Sequence, residues 1–281
     1  MLTKPIPRPL AMVAAAMALA LISLPNAASA ESTWERLKRT GTLKIGCLSH
    51  VVNHHINKDT GKWEGWVIEA TKQMAKDLEP IGVKKWECEM TTWGTAALGL
   101  QSGLMDAMFN LQATPLRATV ITFAGPLFEH GIMMINRKGF HAETWADYNK
   151  PEVKIAVVTG TSTDLVRKLV APKATNISLT KQPDLAMAVA AGRADALITW
   201  AMPGIAMKLR NPDLGTYIVP EPAYTFPQYV GVARDEDRVY ADFMQWWVEW
   251  QRRKGQTEKW LKDQMVNLGM PRDAIPKKLL Y

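Results

Sequence analysis

Short apolar strands and amphipathic helices alternate along this chain, and the alternation runs through two series. In the first series, helices at GWVIEATKQMAKDL and TAALGLQSG separate strands at TLKIGC, KKWECEM and DAMFN. In the second, helices at STDLVRKLV and DLAMAVAAG separate strands at VKIAVV, NISLT and DALIT. This order is typical of parallel α/β sheets, because a crossover, usually a helix, must carry the chain between two parallel strands.

The two series also share residues at the point where a helix gives way to a strand. LGLQSGLMDAMFN and MAVAAGRADALIT align so that Gly103 matches Gly192 and Asp106 matches Asp195. The shared residues are few, but with the repeated element order they predict two similar parallel-sheet lobes. The later segment QYVGVARD predicts a strand that returns to the first lobe.

The segment from Asp235 to Asn267 has the periodicity of helices and is rich in tryptophan. An aromatic binding face and a helix packed onto a lobe both fit this pattern, and packing is the interpretation we favour. The aromatic and apolar residues at helical spacing are Tyr240, Phe243, Met244, Trp247 and Trp250, followed by Trp260 and Leu261.

Residues 1–30 have the three parts of a secretory signal peptide. Lys4 and Arg8 are basic, Leu10 to Leu24 form an apolar run, and Ala28-Ser29-Ala30 fits the cleavage site. The run is short for a membrane span, although a retained N-terminal anchor is the alternative. We therefore predict an exported, soluble protein of the periplasm.

Charge and cysteine content narrow the possible partners and cofactors. The formal net charge of +7 is spread along the chain with no basic run interleaved with aromatics, so nucleic-acid binding has no support.

The two cysteines, Cys47 and Cys88, both fall in predicted strands. Export allows a disulfide, but two buried thiols fit equally well at this stage. We expect no cofactor and no metal, since the adjacent His54 and His55 lack spaced ligands.

Six segments, in order, resemble the periplasmic solute-binding proteins of polar amino-acid ABC transporters. They are GTLKIGC, GKWEGWVIEATKQMA, TTWGTAALGLQSGLMDAM, LQATPLRATVITFAGPLFEHG, VVTGTSTDLV and GRADALITWAMP. The fourth is similar to T-x-T-x-x-R followed by a phenylalanine strand and a tyrosine-rich turn. The fifth resembles a Gly-Thr-Thr turn and the sixth a G-x-x-D-A-x-x-x-D segment.

This resemblance implies a type II periplasmic-binding fold, with two parallel-sheet α/β lobes joined by two crossing strands. The expected boundaries are 1–30 for the signal peptide, 31–130 for the first part of lobe 1, 131–228 for lobe 2, and 229–281 for the return strand and C-terminal helices. The resemblance also implies capture of a small carboxylate-bearing solute between the lobes and delivery to an ABC permease in the inner membrane. A monomer is expected.

Arg117 is the residue that the resemblance places on the ligand's carboxylate. A planar guanidinium offers two parallel donors to a carboxylate, which suits this role. A surface arginine just inside a helix begun by Pro115 is the alternative. Ser162 and Thr163 follow a strand and open a helix, where hydroxyls and free amides can bind a carboxylate or simply cap the helix.

Further positions implied by the resemblance surround the rest of the ligand. Trp93 corresponds to a covering apolar or aromatic residue, with core packing as its alternative. Asn110 and Gln112 correspond to positions near the ligand's amino end, and both depart from the small residues usual there.

Trp200 stands where the resembled family often has an aspartate that pairs with the α-ammonium, and Gly94 likewise replaces an acidic residue. Because a buried ammonium without a carboxylate is strongly disfavoured, an ordinary α-amino acid is an unexpected ligand. An indole could instead face a betaine-like cation or stack on an aromatic or branched carboxylate, or pack inside lobe 2. Glu129 is the nearest acid in sequence that could substitute.

Two other classes of function remain open. A periplasmic dehydratase of the cyclohexadienyl type would need a positioned acid, for which Glu129, His54 and His130 are the candidates. The chain carries no G-x-S-x-G, H-E-x-x-H or Cys-His arrangement, so a binding protein is favoured over an enzyme. An accessory or sensor protein with the same fold is the third possibility.

Overall fold

A sheet of nine strands organises the computed structural model, which describes residues 31–50 and 52–275. The strands are β1 Thr42–Cys47, β2 His55–Ile56, β3 Trp63–Glu64, β4 Lys85–Met90, β5 Ala107–Leu111, β6 Ile121–Asn136, β7 Lys154–Val158, β8 Thr175–Leu179, β9 Ala196–Trp200, β10 Tyr217–Ile218 and β11 Thr225–Ala233. The predicted signal peptide lies outside the described residues. From Thr33 onward the chain forms one compact unit.

Ten α-helices and two short 3-10 turns accompany these strands in the described ranges. The helices are α1 Thr33–Thr40, α2 Trp66–Asp77, α3 Ala96–Gln101, α4 Pro115–Ala118, α5 Trp145–Tyr148, α6 Ser162–Val170, α7 Gln182–Ala190, α8 Ala201–Arg210, α9 Val239–Arg253 and α10 Gln256–Asn267. The 3-10 turns are Glu79–Ile81 and Arg272–Ala274. Every strand and helix predicted in the two series is present, with boundaries shifted by a few residues.

The nine-stranded sheet has the order β4-β1-β5-β11-β6-β9-β7-β8, with β10 beside β6, and β2 and β3 form a separate two-stranded sheet. Strand β1 is parallel to β4 and β5, and β7 is parallel to β8 and β9. Between these two parallel groups lie β6 and β11, which are antiparallel to each other. The first part of β6 pairs with β11 and its last part with β9, so one long strand connects both groups. The expected lobe boundaries stay a prediction.

The end of the segment that resembles a phenylalanine strand and a turn is part of one long strand in this chain. Residues Leu127 to Gly131 continue β6 without a break, because Glu129 pairs with Pro227 and His130 with Phe226 on β11. Both side chains therefore belong to a crossing strand.

The repeated helix-Gly-Asp-strand segments have the same structure in both series. Gly103 and Gly192 adopt positive φ values of 70° and 68°, which favour glycine. Asp106 then accepts a hydrogen bond from the backbone N–H of Lys44 at 2.7 Å and pairs with Arg36 at 2.6 Å.

Asp195 repeats this arrangement. It accepts from the backbone N–H of Lys154 at 2.9 Å and pairs with Arg137 at 2.9 Å. In each series the aspartate ties the start of one strand to its parallel neighbour.

The tryptophan-rich tail packs largely as predicted. Tyr240, Met244, Trp247 and Trp260 are buried, and the Trp247 indole N–H donates to a carboxylate oxygen of Asp77 at 2.8 Å. Trp250 differs, since 64% of its surface is exposed, as is 72% of Trp246.

Cys47 and Cys88 form a disulfide, which resolves the two alternatives left by the sequence. They lie on the parallel neighbours β1 and β4, with their Cα atoms 5.4 Å apart. This separation is within the range that a disulfide spans. In the described parts of the chain, no helix is both long and apolar enough to cross a membrane.

Candidate functional site

Loops at the carboxyl ends of the parallel strands carry the predicted site residues. The chain leaves β1 toward His50, β4 toward Trp93 and β5 toward Gln112, while β7 leads to Thr161 and β9 ends at Trp200. Open parallel sheets bind ligands beyond the carboxyl ends of their strands. These loops are therefore the candidate functional site.

Arg117 connects two of these loops. It lies in the single turn of α4, where the Thr114 hydroxyl accepts its backbone N–H at 3.3 Å. Its guanidinium donates to the backbone oxygen of Gln112 at 3.0 Å and to that of Trp93 at 2.6 Å. Burial lowers the pKa of Arg117, although an arginine stays protonated at neutral pH. With five N–H donors and two carbonyl acceptors, the group keeps donors for a carboxylate.

Asn110 has an unusual backbone next to this arginine. Its φ is 57°, one of two positive values among the described residues other than glycine, and its side-chain oxygen is buried without a hydrogen-bond partner. A left-handed backbone conformation costs about 1 kcal/mol or more for a residue other than glycine, and somewhat less for asparagine. Strain and an unsatisfied acceptor at one residue are typical of a functional site.

Trp93 is partly buried and contacts His50, with their ring centroids 6.3 Å apart in an edge-to-face arrangement. His50 was missed by the sequence reasoning, although its place just beyond β1 is the signal that could have identified it. Burial lowers the pKa of His50 to about 4, so the ring is neutral at pH 7.

At the start of α6, the residue that caps the helix differs from the two hydroxyl residues predicted for this turn. Thr161, not Ser162 or Thr163, is the N-cap, and its hydroxyl accepts the backbone N–H of Asp164 at 3.4 Å. The buried Thr163 hydroxyl bonds to that of Thr161 at 2.8 Å. Ser162 is partly buried, and its hydroxyl makes no hydrogen bond to the described part of the chain.

The ring of Trp200 contacts one residue on each of the crossing strands β6 and β11. Its indole stacks on the ring of His130 with centroids 4.8 Å apart, and meets Phe226 edge-to-face at 5.8 Å. Its backbone pairs with Ile132 on β6 and forms the N-cap position of α8. The ring is partly buried and packs against an apolar cluster that includes Ile132, Val157 and Ile198.

His130, which the sequence analysis named only as a candidate acid for a dehydratase, lies against Trp200. The side chain is 4% exposed, and its Nε2 accepts the backbone N–H of Met202 at 3.4 Å. Burial, with a smaller effect from the charge of His50, lowers the pKa of His130 to about 3.

The structure thus brings together Arg117, Gln112 and Trp93 by direct hydrogen bonds, and Trp200 with His130 by stacking. Glu129 is partly buried on β6, and within residues 31–50 and 52–275 no hydrogen bond or ion pair joins it to the other candidates. No cluster of three or more His, Cys, Asp or Glu in those ranges is arranged to hold a metal ion.

Comparison with known proteins identifies relatives of this arrangement. The glutamine-binding protein GlnH of an ABC transporter from Bacillus subtilis (strain 168) is 30% identical over 145 residues, which are 51% of this chain and 52% of that protein. The alignment therefore spans about half the length of this curated relative.

Solved structures share the fold over most of the chain. An ancestral cationic amino acid solute-binding protein is 25% identical, with a TM-score of 0.69, over 83% of this chain and 100% of its own. An ancestral cyclohexadienyl dehydratase is 23% identical, with a TM-score of 0.53, over 84% of this chain and 98% of its own, a likeness of fold alone.

The fold is accordingly a mixed α/β architecture of the type II periplasmic-binding class, as the sequence predicted. Residues 43–263 match the family described as bacterial extracellular solute-binding proteins, family 3. This match covers most of the sequence and includes every candidate site residue. The chain belongs to the family 3 bacterial extracellular solute-binding proteins.

Proposed function

We propose that this protein captures a small carboxylate-bearing solute between two lobes and delivers it to an ABC permease. The observation that carries the proposal is Arg117, whose guanidinium is fixed by the backbone oxygens of Gln112 and Trp93. A guanidinium held in one orientation has already lost much of its conformational entropy, so it binds a carboxylate at lower cost. Asn110, with its unpartnered oxygen, is the next polar group of this site.

The solute of this proposal lacks a primary α-ammonium. Trp200 and Gly94 stand where the resembled pattern has acids, and Trp200 is surrounded by the rings of His130 and Phe226. Neither of those rings supplies a negative charge to pair with a buried cation. Betaine-like compounds and aromatic or branched carboxylates are the candidate solutes. The relatives described above are named for glutamine and for cationic amino acids, so the solute proposed for this chain differs from the ligands in their names.

Binding is favoured over catalysis. A dehydratase needs an acid in contact with its substrate, and Glu129 is not joined to Arg117 by any contact in the described residues. Secretion to the periplasm, directed by residues 1–30, belongs to the same proposal, as does a monomeric state. An accessory or sensor role would use the same binding step with a different partner.

Thermal shift with purified mature protein tests the proposal, since a ligand stabilises the native state by RT ln(1 + [L]/Kd). We expect Arg117→Ala to abolish the shift given by carboxylates while leaving the melting temperature of the free protein nearly unchanged. Arg117→Lys should restore only part of the shift, because one ammonium cannot replace the two parallel donors.

Arg210→Ala, at an exposed arginine of α8, is the matched control and should retain the full shift. An Arg117→Ala protein that binds as tightly as the wild type would contradict the carboxylate proposal. Turnover of a cyclohexadienyl acid by the wild type would favour the enzyme instead.

A further inference from the structure

The hydrogen bond at His130 fixes which ring nitrogen carries the proton. Nε2 accepts the backbone N–H of Met202 in the first turn of α8, where Trp200 at the N-cap makes no side-chain cap. A nitrogen that accepts a hydrogen bond carries no proton, and a neutral imidazole has one N–H. The proton of His130 is therefore on Nδ1.

This Nδ1–H has no acceptor among the described residues of the chain. The ring is 4% exposed, and Nδ1 is not among the fully buried polar atoms that lack a partner, so this N–H keeps contact with solvent. A solute that covers such a donor without accepting its hydrogen bond loses about 1–3 kcal/mol. The same ring lies against Trp200, the residue that replaces the acid of the resembled pattern. A donor that lacks a partner therefore lies beside the position expected to face the α-substituent of a bound carboxylate.

We propose that His130 is a specificity-determining residue whose Nδ1–H donates to an oxygen on the α-carbon of the solute. The inference rests on the proposed function and deepens it by naming the class of solute, an α-keto or α-hydroxy carboxylate. An α-ammonium presents only N–H groups, which cannot accept this hydrogen bond. A betaine fails for a similar reason, since its quaternary nitrogen has no lone pair. An oxygen at the α-carbon provides the acceptor that the buried ring lacks.

Matched analogues on one carbon skeleton test this inference by calorimetry. Leucine is compared with the three acids in which its α-amino group is replaced by a keto oxygen, by a hydroxyl or by a hydrogen atom, and phenylalanine is compared with the corresponding three acids. We expect the keto and hydroxy acids to bind the wild type about tenfold more tightly than the acids with hydrogen at this position. This ratio is the effect expected of one hydrogen bond in the site. The amino acids should bind most weakly.

His130→Phe removes the donor and keeps an aromatic ring against Trp200. In this variant the tenfold ratio should fall to about one, while the acids with hydrogen keep their affinity. His130→Gln, which retains an acceptor and N–H donors, should keep part of the ratio. His141→Phe makes the same substitution at an exposed histidine and should keep all of it.

The outcomes separate this inference from the proposed function. A ratio that is unchanged in His130→Phe, with binding lost in Arg117→Ala, overturns the role of His130 and leaves the carboxylate proposal standing. Tighter binding of leucine or phenylalanine than of their keto acids also overturns it. Binding that survives Arg117→Ala contradicts the carboxylate proposal itself. If His130→Phe does not fold, the loss of the ratio is sought in His130→Ala, which has no donor.

Discussion

Some single side chains in the candidate site are held in arrangements that reduce stability but suit ligand binding. Asn110 holds a left-handed backbone and a buried, unpartnered oxygen, which is unfavourable in the free protein by an amount comparable to a hydrogen bond. The Nδ1–H of His130 has no acceptor in the described residues, so a solute that covers it must accept its hydrogen bond. A solute that supplies the missing partners recovers these costs on binding, so strain in the free site becomes selectivity for the solute.

At this scale, Trp200→Asp should change the preference of the site. A carboxylate at this position can pair with an α-ammonium, so leucine or glutamine should gain affinity while aromatic and branched carboxylates lose it. The lost stacking on His130 should also destabilise the fold by about 2–3 kcal/mol.

Calorimetry with the two groups of ligands measures the change in preference, and urea unfolding measures the stability. Trp250→Asp is the matched control, because that indole is largely exposed and lies away from the strand ends. A wild-type protein that binds a primary amino acid tightly would refute the argument, and would direct attention to Glu129 or Gln112 at the amino end.

Where a helix lacks an N-cap from its own residues, a side chain from a neighbouring strand can accept the free backbone N–H instead. Helix α6 has its own N-cap in Thr161, but α8 begins at Trp200, which cannot cap, and His130 of β6 accepts an amide of its first turn instead. Asp106 and Asp195 join parallel strands near their amino ends, opposite the site. The contact between His130 and α8 lies at the end of β9 and fixes that side of the site.

The disulfide between β1 and β4 gives a prediction at the scale of elements. Thiol labelling of the denatured, unreduced mature protein should find no free thiol, and labelling after reduction should find two. Because Cys47 and Cys88 are 41 residues apart, loss of the bond should reduce the free energy of unfolding by about 4 kcal/mol in the chain-entropy account.

Urea unfolding of a Cys47→Ala/Cys88→Ala variant, compared with the oxidised wild type, measures this loss. Two thiols labelled before reduction would refute the bond and leave both cysteines as small buried apolar residues.

At the scale of the whole molecule, buried histidines link folding to pH. Burial lowers the pKa of His54, which is 1% exposed, to about 4, and that of His130 to about 3. An unfolded histidine titrates near pH 6.5. Below that pH the unfolded chain takes up protons that the native rings refuse, so stability falls as the pH falls toward the native pKa values.

We expect each of these two histidines to reduce the free energy of unfolding by about 2 kcal/mol between pH 6.5 and pH 5. Burial raises the pKa of Asp106, which acts in the opposite direction. A comparison between variants removes that contribution, because all of them retain Asp106.

Urea unfolding of His130→Gln should therefore show a smaller loss over this pH range than the wild type. His141→Gln, at an exposed histidine, should show the wild-type loss. Equal pH dependence in all three proteins would contradict the assignment of His130 as a neutral buried ring.

The order of strands and helices, the repeated Gly-Asp turns and the resemblance that singles out Arg117 could all be predicted from the amino-acid sequence. These features depend on residues close together in the chain, where apolar periodicity, glycine and capping residues act directly. Three contacts became visible only in the folded chain: Cys47 bonds to Cys88, LFEHG continues a crossing strand, and His130 stacks on Trp200 and caps α8. Each of those contacts joins residues far apart in the chain, and strand order and register, which local periodicity does not specify, bring them together.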